Sequence, residues 1–319
     1  MNQSVGKKKI SIVIPVYNEE SNIEKLFNEV HSVLSHLPYN FEIIFVDDGS
    51  ADGSLLKVRE LTQKHDFIFF IELSRNFGHQ NALKAGLDFS QGDCAITMDG
   101  DLQHPPSLIP DLIQMWEQGS DIVFTRRMED KKLSWFKRKT SSLFYSMINK
   151  LSDLKLENGT ADFRLMDRKV LNAFAKLREN ELFLRGLVKW SGFRQVAVDY
   201  IPQERHSGKT KYSLFKMISL AFNAVTAFSI KPLKLIAYIG LSLFLLSLCF
   251  IPYVLISYFM NKTISGWTSL MMVVIFFGSL QLLILGIIGL YFSKMVIQSK
   301  QRPLYFVRDT NYPSQIHLN

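Results

Sequence analysis

The sequence predicts an α/β fold: a mostly parallel sheet with helices on both faces, followed by interfacial helices and two transmembrane helices. Three observations support it. Residues 10–130 alternate short β-rich runs with longer amphipathic runs, the pattern of βαβ units. Three of the strand ends carry clustered carboxylates. Two long runs near the C-terminal end contain no Asp, Glu, Lys or Arg.

The β-rich runs are Ile10–Pro15, Phe41–Val46, Phe67–Leu73 and Ala95–Met98, and the amphipathic runs are Ser21–His36, Asp52–Lys64, His79–Ser90 and Ser107–Gln118. Ligands of parallel sheets bind beyond the carboxyl ends of the strands. The first strand ends in Pro15-Val16-Tyr17-Asn18-Glu19-Glu20, the second in Asp47-Asp48-Gly49-Ser50, and the fourth in Asp99-Gly100-Asp101-Leu102-Gln103-His104-Pro105-Pro106. These acidic ends converge on one cleft. No Gly-x-Gly-x-x-Gly follows the first strand and no Walker Gly-Lys-Ser occurs, so neither a dinucleotide fingerprint nor a P-loop is indicated.

The fourth end points to a metal and diphosphate site. Residues two apart in an extended chain point the same way, so Asp99 and Asp101 can offer oxygens to one hard cation and Gln103 adds a neutral one. Mg²⁺ or Mn²⁺ takes such oxygen ligands and shares them with substrate phosphates. The competing reading is a simple acidic turn.

Residues 131–230 are less regular. Trp135 to Met147 is aromatic and basic, suited either to a membrane surface or to an amphipathic helix packed on the sheet. Asp162 and Arg164 open an apolar run, and Glu204 to Tyr212 forms a cationic loop around Gly208. Leu214 to Ile230 has helical apolar spacing. The uncharged runs, Leu235 to Asn261 and Thr263 to Ser293, each exceed the roughly 20 residues that cross a bilayer. Lys231 and Lys234 precede the first, Lys294, Lys300 and Arg302 follow the second, and only Lys262 lies between, which puts both ends in the cytoplasm. No signal peptide is apparent. A net charge of +8 suits an anionic leaflet as well as nucleic acid, and no nucleic-acid partner is expected. Cys94 and Cys249 predict no disulfide. The expected divisions are a catalytic domain at 1–212, interfacial helices at 213–232, a transmembrane hairpin at 233–294 and a cytosolic tail at 295–319. Gly278, Gly286 and Gly289 suggest association of the spans into a homo-oligomer.

Taken together, Pro15-x-Tyr17-Asn18-Glu19, Asp47-Asp48-Gly49-Ser50, Asp99-Gly100-Asp101-Leu102-Gln103, Asp162-Phe163-Arg164, Arg205-x5-Lys211, the segment Ser74-Arg75-Asn76-Phe77-Gly78 and the paired spans resemble the family 2 glycosyltransferases that charge polyprenyl phosphates. The bacterial bactoprenol glucosyl transferases are the nearest resemblance and dolichyl-phosphate mannose synthase a more distant one. The resemblance implies a GT-A-like, Rossmann-related domain and a nucleotide-sugar donor, with undecaprenyl phosphate as acceptor. The location it implies is multi-pass in the bacterial cytoplasmic membrane. It implies that Pro15, Tyr17, Glu19, Val46, Asp47 and Asp48 hold the nucleotide, with Asp99 and Gly100 beside it. Asp99, Asp101 and Gln103 would hold the metal. Arg205 and Lys211 would clamp the diphosphate, and Arg127, a better match than Arg126, would meet the acceptor phosphate with Arg138 and Arg164. Asp162, Asp101 and Arg127 would carry the catalysis. The expected reaction moves a hexose, glucose by subgroup similarity, from a UDP-sugar with inversion; N-acetylglucosamine, galactose, mannose or an aminopentose are alternatives. A processive polysaccharide synthase is disfavoured because no Gln-x-x-Arg-Trp motif occurs. A channel is disfavoured because the spans carry no ionisable residue.

Overall fold

A computed structural model of the chain describes residues 7–128, 160–177, 183–201 and 266–313 as continuous stretches, with isolated positions between 179 and 260. Its elements in order are β1 (Lys9–Val16), α1 (Glu20–Leu34), β2 (Asn40–Asp47), α2 (Ser54–Lys64), β3 (Ile68–Leu73), α3 (His79–Phe89) and β4 (Cys94–Thr97). A 3-10 turn (Pro106–Leu108), α4 (Ile109–Glu117), β5 (Ile122–Arg127), β6 (Thr160–Asp167), α5 (Arg168–Phe174), α6 (Leu184–Trp190) and β7 (Gln195–Tyr200) follow. The last two are α7 (Trp267–Ser299) and β8 (Val307–Thr310). They divide into two compact units, one built on the sheet and including residues 302–313, the other containing α7.

The sheet runs in the order β7-β5-β6-β4-β1-β2-β3-β8. Its strands are parallel except β6, antiparallel to β4 and β5, and β8, antiparallel to β3. The order reverses on either side of β1, which pairs with both β2 and β4. Such a switch point leaves a crevice beyond the strand ends where ligands bind.

Burial explains why these runs became strands and helices. Ile10, Ile12, Val13 and Ile14 of β1 have no exposed surface, as expected of a central strand covered on both faces. The even-numbered side chains join one core with Ile23, Leu26 and Phe27 of α1 and Ile109, Leu112 and Ile113 of α4. Val13 points the other way onto α3, where a Cβ on Gly86 would lie 2.2 Å from it. Helices therefore cover both faces, and the expected α/β arrangement is observed.

The strand β8, seated on the β3 edge, was not foreseen in the tail. In the other unit, α7 spans 33 residues, ends at Ser299 and includes the stretch Phe276–Ser299 with a mean hydropathy of 2.0 and nothing buried. Among the described residues this is the one helix long and apolar enough to cross a membrane. The first expected span, Leu235 to Asn261, lies largely outside the described residues, so two transmembrane helices are not established. The expected interfacial helices at 213–232 also lie outside them.

Candidate active site

The carboxyl ends of β1, β2 and β3 are stitched together by their own loops. Asn18, in the left-handed region at φ +55 that Asn tolerates, accepts a hydrogen bond from the Ala51 N–H at 2.8 Å and donates its own N–H to the Ser50 hydroxyl at 3.0 Å. The Glu19 N–H donates to Ser54 at 2.8 Å. Gly49 has φ +70, and a Cβ there would sit 2.7 Å from the Arg75 carbonyl carbon, so only glycine fits. Asp48 accepts the Phe77 and Gly78 N–H groups at 2.7 and 3.0 Å. Asp47 accepts the Ser50 N–H at 3.2 Å through Oδ2, while its buried Oδ1 makes no hydrogen bond. Burial pushes both carboxyls up from their ordinary range. Pro15 pairs in register with the buried Val46, Gly100 lies against the Pro15 carbonyl, and the Tyr17 ring is 48% exposed at the rim. The predicted nucleotide residues thus share three neighbouring strand ends.

Beyond β4 the chain turns sharply after the fully buried Met98. Leu102 sits at φ +60 with its side chain buried, an unusual conformation for a bulky residue. Asp101 accepts the Gln103 N–H at 3.2 Å. Two histidines bracket Asp99. His79 Nε2 is 3.2 Å from Asp99 Oδ1, a close approach without hydrogen-bond geometry, because that buried oxygen makes no hydrogen bond. His104 accepts the Asp99 N–H through Nδ1 at 3.3 Å and stacks on Phe163.

Asp162, at the start of β6, faces the same cleft and is 4% exposed. Arg185 reaches it through Nε at 3.0 Å and Nη2 at 2.7 Å, and Arg164 Nη2 donates to it at 2.7 Å. Gln80 donates to it at 3.4 Å and holds α6 by accepting the Leu184 N–H at 3.1 Å. His79 Nε2 lies 3.8 Å from it, so one imidazole stands between Asp99 and Asp162. Burial alone would raise the Asp162 carboxyl, but the Arg185 and Arg164 guanidiniums hold it well below the usual carboxylate range. Arg164 is buried, also donates to the Ala161 carbonyl at 3.0 Å, and keeps Nη1 without a hydrogen bond.

At the end of β5, Arg126 is engaged by Asp199 of β7 at 2.6 and 3.0 Å. Arg127, the next residue, is exposed and close enough to Tyr200 to act on its phenol. Arg138, Arg205 and Lys211 lie outside the described residues. Sequence reasoning missed His79, Gln80 and Arg185. The first two directly follow Ser74-Arg75-Asn76-Phe77-Gly78, and that continuation was their only signal. Arg185 is a lone cation among Leu184, Gly186, Leu187 and Val188, with no motif around it.

Among the described residues no three His, Cys, Asp or Glu side chains gather in metal-ligand geometry. The donor set nevertheless fits a hard cation that draws further oxygens from a substrate: the Asp99 and Asp101 carboxylates stand one residue apart, and a buried Asp99 oxygen makes no hydrogen bond.

The sequence model described as "Glycosyl transferase family 2" matches residues 11–174. The "Uncharacterized glycosyltransferase YkcC" of Bacillus subtilis is 42% identical over 299 residues, covering 93% of each chain. The "Bactoprenol glucosyl transferase" of Shigella phage SfV is 36% identical over 302 residues, 94% of this chain and 98% of that one. Among solved structures, a mannosyltransferase from Pyrobaculum calidifontis in complex with GDP-Man and Mn²⁺ aligns at a TM-score of 0.47 and 15% identity, covering 70% of this chain and 64% of that one. That likeness is too loose to carry substrate or metal across.

Proposed function

The chain belongs to glycosyl transferase family 2, and on that premise we propose that it transfers a hexose, glucose first, from a UDP-sugar to undecaprenyl phosphate. The reaction inverts the anomeric carbon, at the cytoplasmic face of a bacterial membrane that the chain enters through α7 and the run 235–261. Near-full-length similarity to a protein named bactoprenol glucosyl transferase supports the acceptor class. The observation that carries the reading is the Asp162 cluster, in which two guanidiniums meet one carboxylate beside Asp99. Two guanidiniums outnumber the one Asp162 carboxylate they bond, and a cation on Asp99 would leave that surplus to a phosphate.

In this reading Pro15, Tyr17, Glu19, Val46 and Asp48 take the base and ribose with Asp47 beside them, Tyr17 by offering a ring face and Asp47 by an oxygen that makes no hydrogen bond. Asp99, Asp101 and Gln103 would hold Mg²⁺ or Mn²⁺, which supplies charge stabilisation to the departing diphosphate when bound. Arg205 and Lys211 would close over the same phosphates. The acceptor is a phosphate monoester whose second pKa is about 6, so its oxygen is largely ionised at neutral pH and needs no general base. Asp162 therefore serves as a fixed anion. It orients Arg185, which with Arg127 and Arg138 presents N–H groups to the acceptor phosphate, while Arg164 supports the carboxylate from beneath.

The test is a panel of radiolabelled UDP- and GDP-sugars supplied with undecaprenyl phosphate to purified membranes containing the chain. Transfer from UDP-glucose into a lipid-soluble product is the expected result. Transfer from another donor alone would change the sugar, and no transfer to lipid from any donor would overturn the acceptor.

A further inference from the structure

The segment after α7 does more than cover a sheet edge. Strand β8 lies antiparallel on β3 with Glu72 opposite Asp309 and Leu73 opposite Val307, so Arg308 is the extra residue of a bulge. Bulges re-aim side chains. Here the Arg308 guanidinium reaches the Ser74 carbonyl at 2.7 Å and the buried Glu72 carboxylate at 3.0 Å. The Phe306 carbonyl accepts the Ser74 N–H at 2.8 Å. Both backbone groups of Ser74, where β3 ends and the loop to Gly78 begins, are thus held by the tail. That loop supplies the two N–H groups that fix Asp48, and its Arg75 backbone packs on Gly49.

The segment is anchored on either side of Arg308. Tyr305 donates to Asp88 at 2.9 Å, Thr310 donates to the Phe70 carbonyl at 2.6 Å, and Tyr312 donates to Glu42 at 2.8 Å with its ring against Phe69 and Phe89. Glu72 is opposite Asp47 in the β2–β3 register, and Arg308 shares the neutralisation of Glu72 with Arg59. The tail therefore bears on both acidic residues at the end of β2, one through a loop and one through charge.

The geometry points to residues 306–308 as a positioning segment of the donor-nucleotide pocket, with Arg308 acting through the Ser74–Gly78 loop on Asp48. This rests on the donor reading given above. Arg308 touches no reacting atom, so its removal should act on donor binding rather than on the chemical step.

The experiment uses the full chain in detergent, with UDP as the probe. In Arg308→Ala, hydrogen exchange at the Phe77 and Gly78 amides should speed up at least about tenfold and the Kd for UDP should rise by a similar factor, with kcat at saturating donor nearly unchanged. Arg308→Lys, which keeps the charge but loses the fork, should fall between. Tyr312→Phe loosens the tail away from the loop, so it should lower Tm while leaving both loop exchange and the Kd for UDP unchanged. Unaltered exchange at Phe77 and Gly78 in Arg308→Ala would overturn the proposal, as would an equal loss of UDP affinity in Tyr312→Phe. If the wild type binds no UDP and Arg308→Ala still frees the two amides, the hold on the loop stands and the donor assignment falls.

Discussion

Two buried carboxylates on the same sheet, Glu42 and Asp162, show how similar burial serves opposite ends. Glu42 is 1% exposed, and its neighbours are Lys9, the Ser11 hydroxyl, the Gln91 N–H and the Tyr312 hydroxyl. One cation and three neutral donors satisfy one anion, and all of them belong to the fold. Asp162 is as deeply buried, but it faces two guanidiniums, with an imidazole shared with Asp99. Two guanidiniums bond this one carboxylate, and Asp99 is the further anion that acts on Arg164. The first arrangement ties β1 and β2 to the tail, and the second would leave charge for a phosphate once a cation sits on Asp99.

The largest expected effect separates them by stability. Asp162→Asn leaves the buried Arg164 without its anion and should cost about 3 kcal/mol or more. Glu42→Gln removes charge from a site whose one cation among the described residues, Lys9, is partly solvated, and should cost about 1–2 kcal/mol. Chemical unfolding of the detergent-solubilised protein measures both, and a larger loss for Glu42→Gln would break the comparison.

Next comes the metal pair. Asp101→Asn should lower turnover by at least about tenfold, roughly 1.4 kcal/mol, with unfolding unchanged, and EDTA should act in the same direction on the wild type. Retained turnover after both treatments would reduce the turn to a structural one.

Acid provides a milder probe. Both carboxyls sit below their usual values, against the upward push of burial, Asp162 by its arginines and Glu42 by its hydrogen bonds from Lys9 and Ser11. A depressed folded value means each contributes stability that is complete above the unfolded pKa of about 4 and is lost as pH falls through the folded one. Between pH 5 and 8 neither should titrate. The acid limb of kcat/KM should then fall near pH ~6, with the acceptor phosphate, and should survive unchanged in Glu42→Gln. A limb that moved in that variant would tie the two regions together. The smallest effect is Tyr312→Phe, which gives up one hydrogen bond to a buried carboxylate and should lower stability by roughly 1 kcal/mol.

Much of the carboxyl edge was legible in the sequence, because parallel strands write themselves as short apolar runs and their loops carry the polar residues. The four β-rich runs of residues 10–130 became β1 to β4 within a residue or two, and the acidic ends of three of them meet in the crevice. Arg185 was not legible, since its role comes from α6 being held against α3 by Gln80, a contact across more than a hundred residues. His79 was not legible either. It gains meaning only when the start of α3 is placed beside β4 and β6. Strand β8 was hidden for a third reason: Val307-Arg308-Asp309-Thr310 has no apolar alternation, and its hold on the sheet comes from Arg308, Tyr305 and Tyr312 instead.

The most direct measurement is transfer of labelled glucose from UDP-glucose to undecaprenyl phosphate in membranes carrying the wild type, Glu42→Gln or Asp162→Asn, each normalised to folded protein. Wild type and Glu42→Gln should give the same lipid-linked product at the same rate, and Asp162→Asn should fall by about a hundredfold, roughly 2.7 kcal/mol of lost transition-state stabilisation. Equal rates in all three, or no lipid product from the wild type, would contradict it.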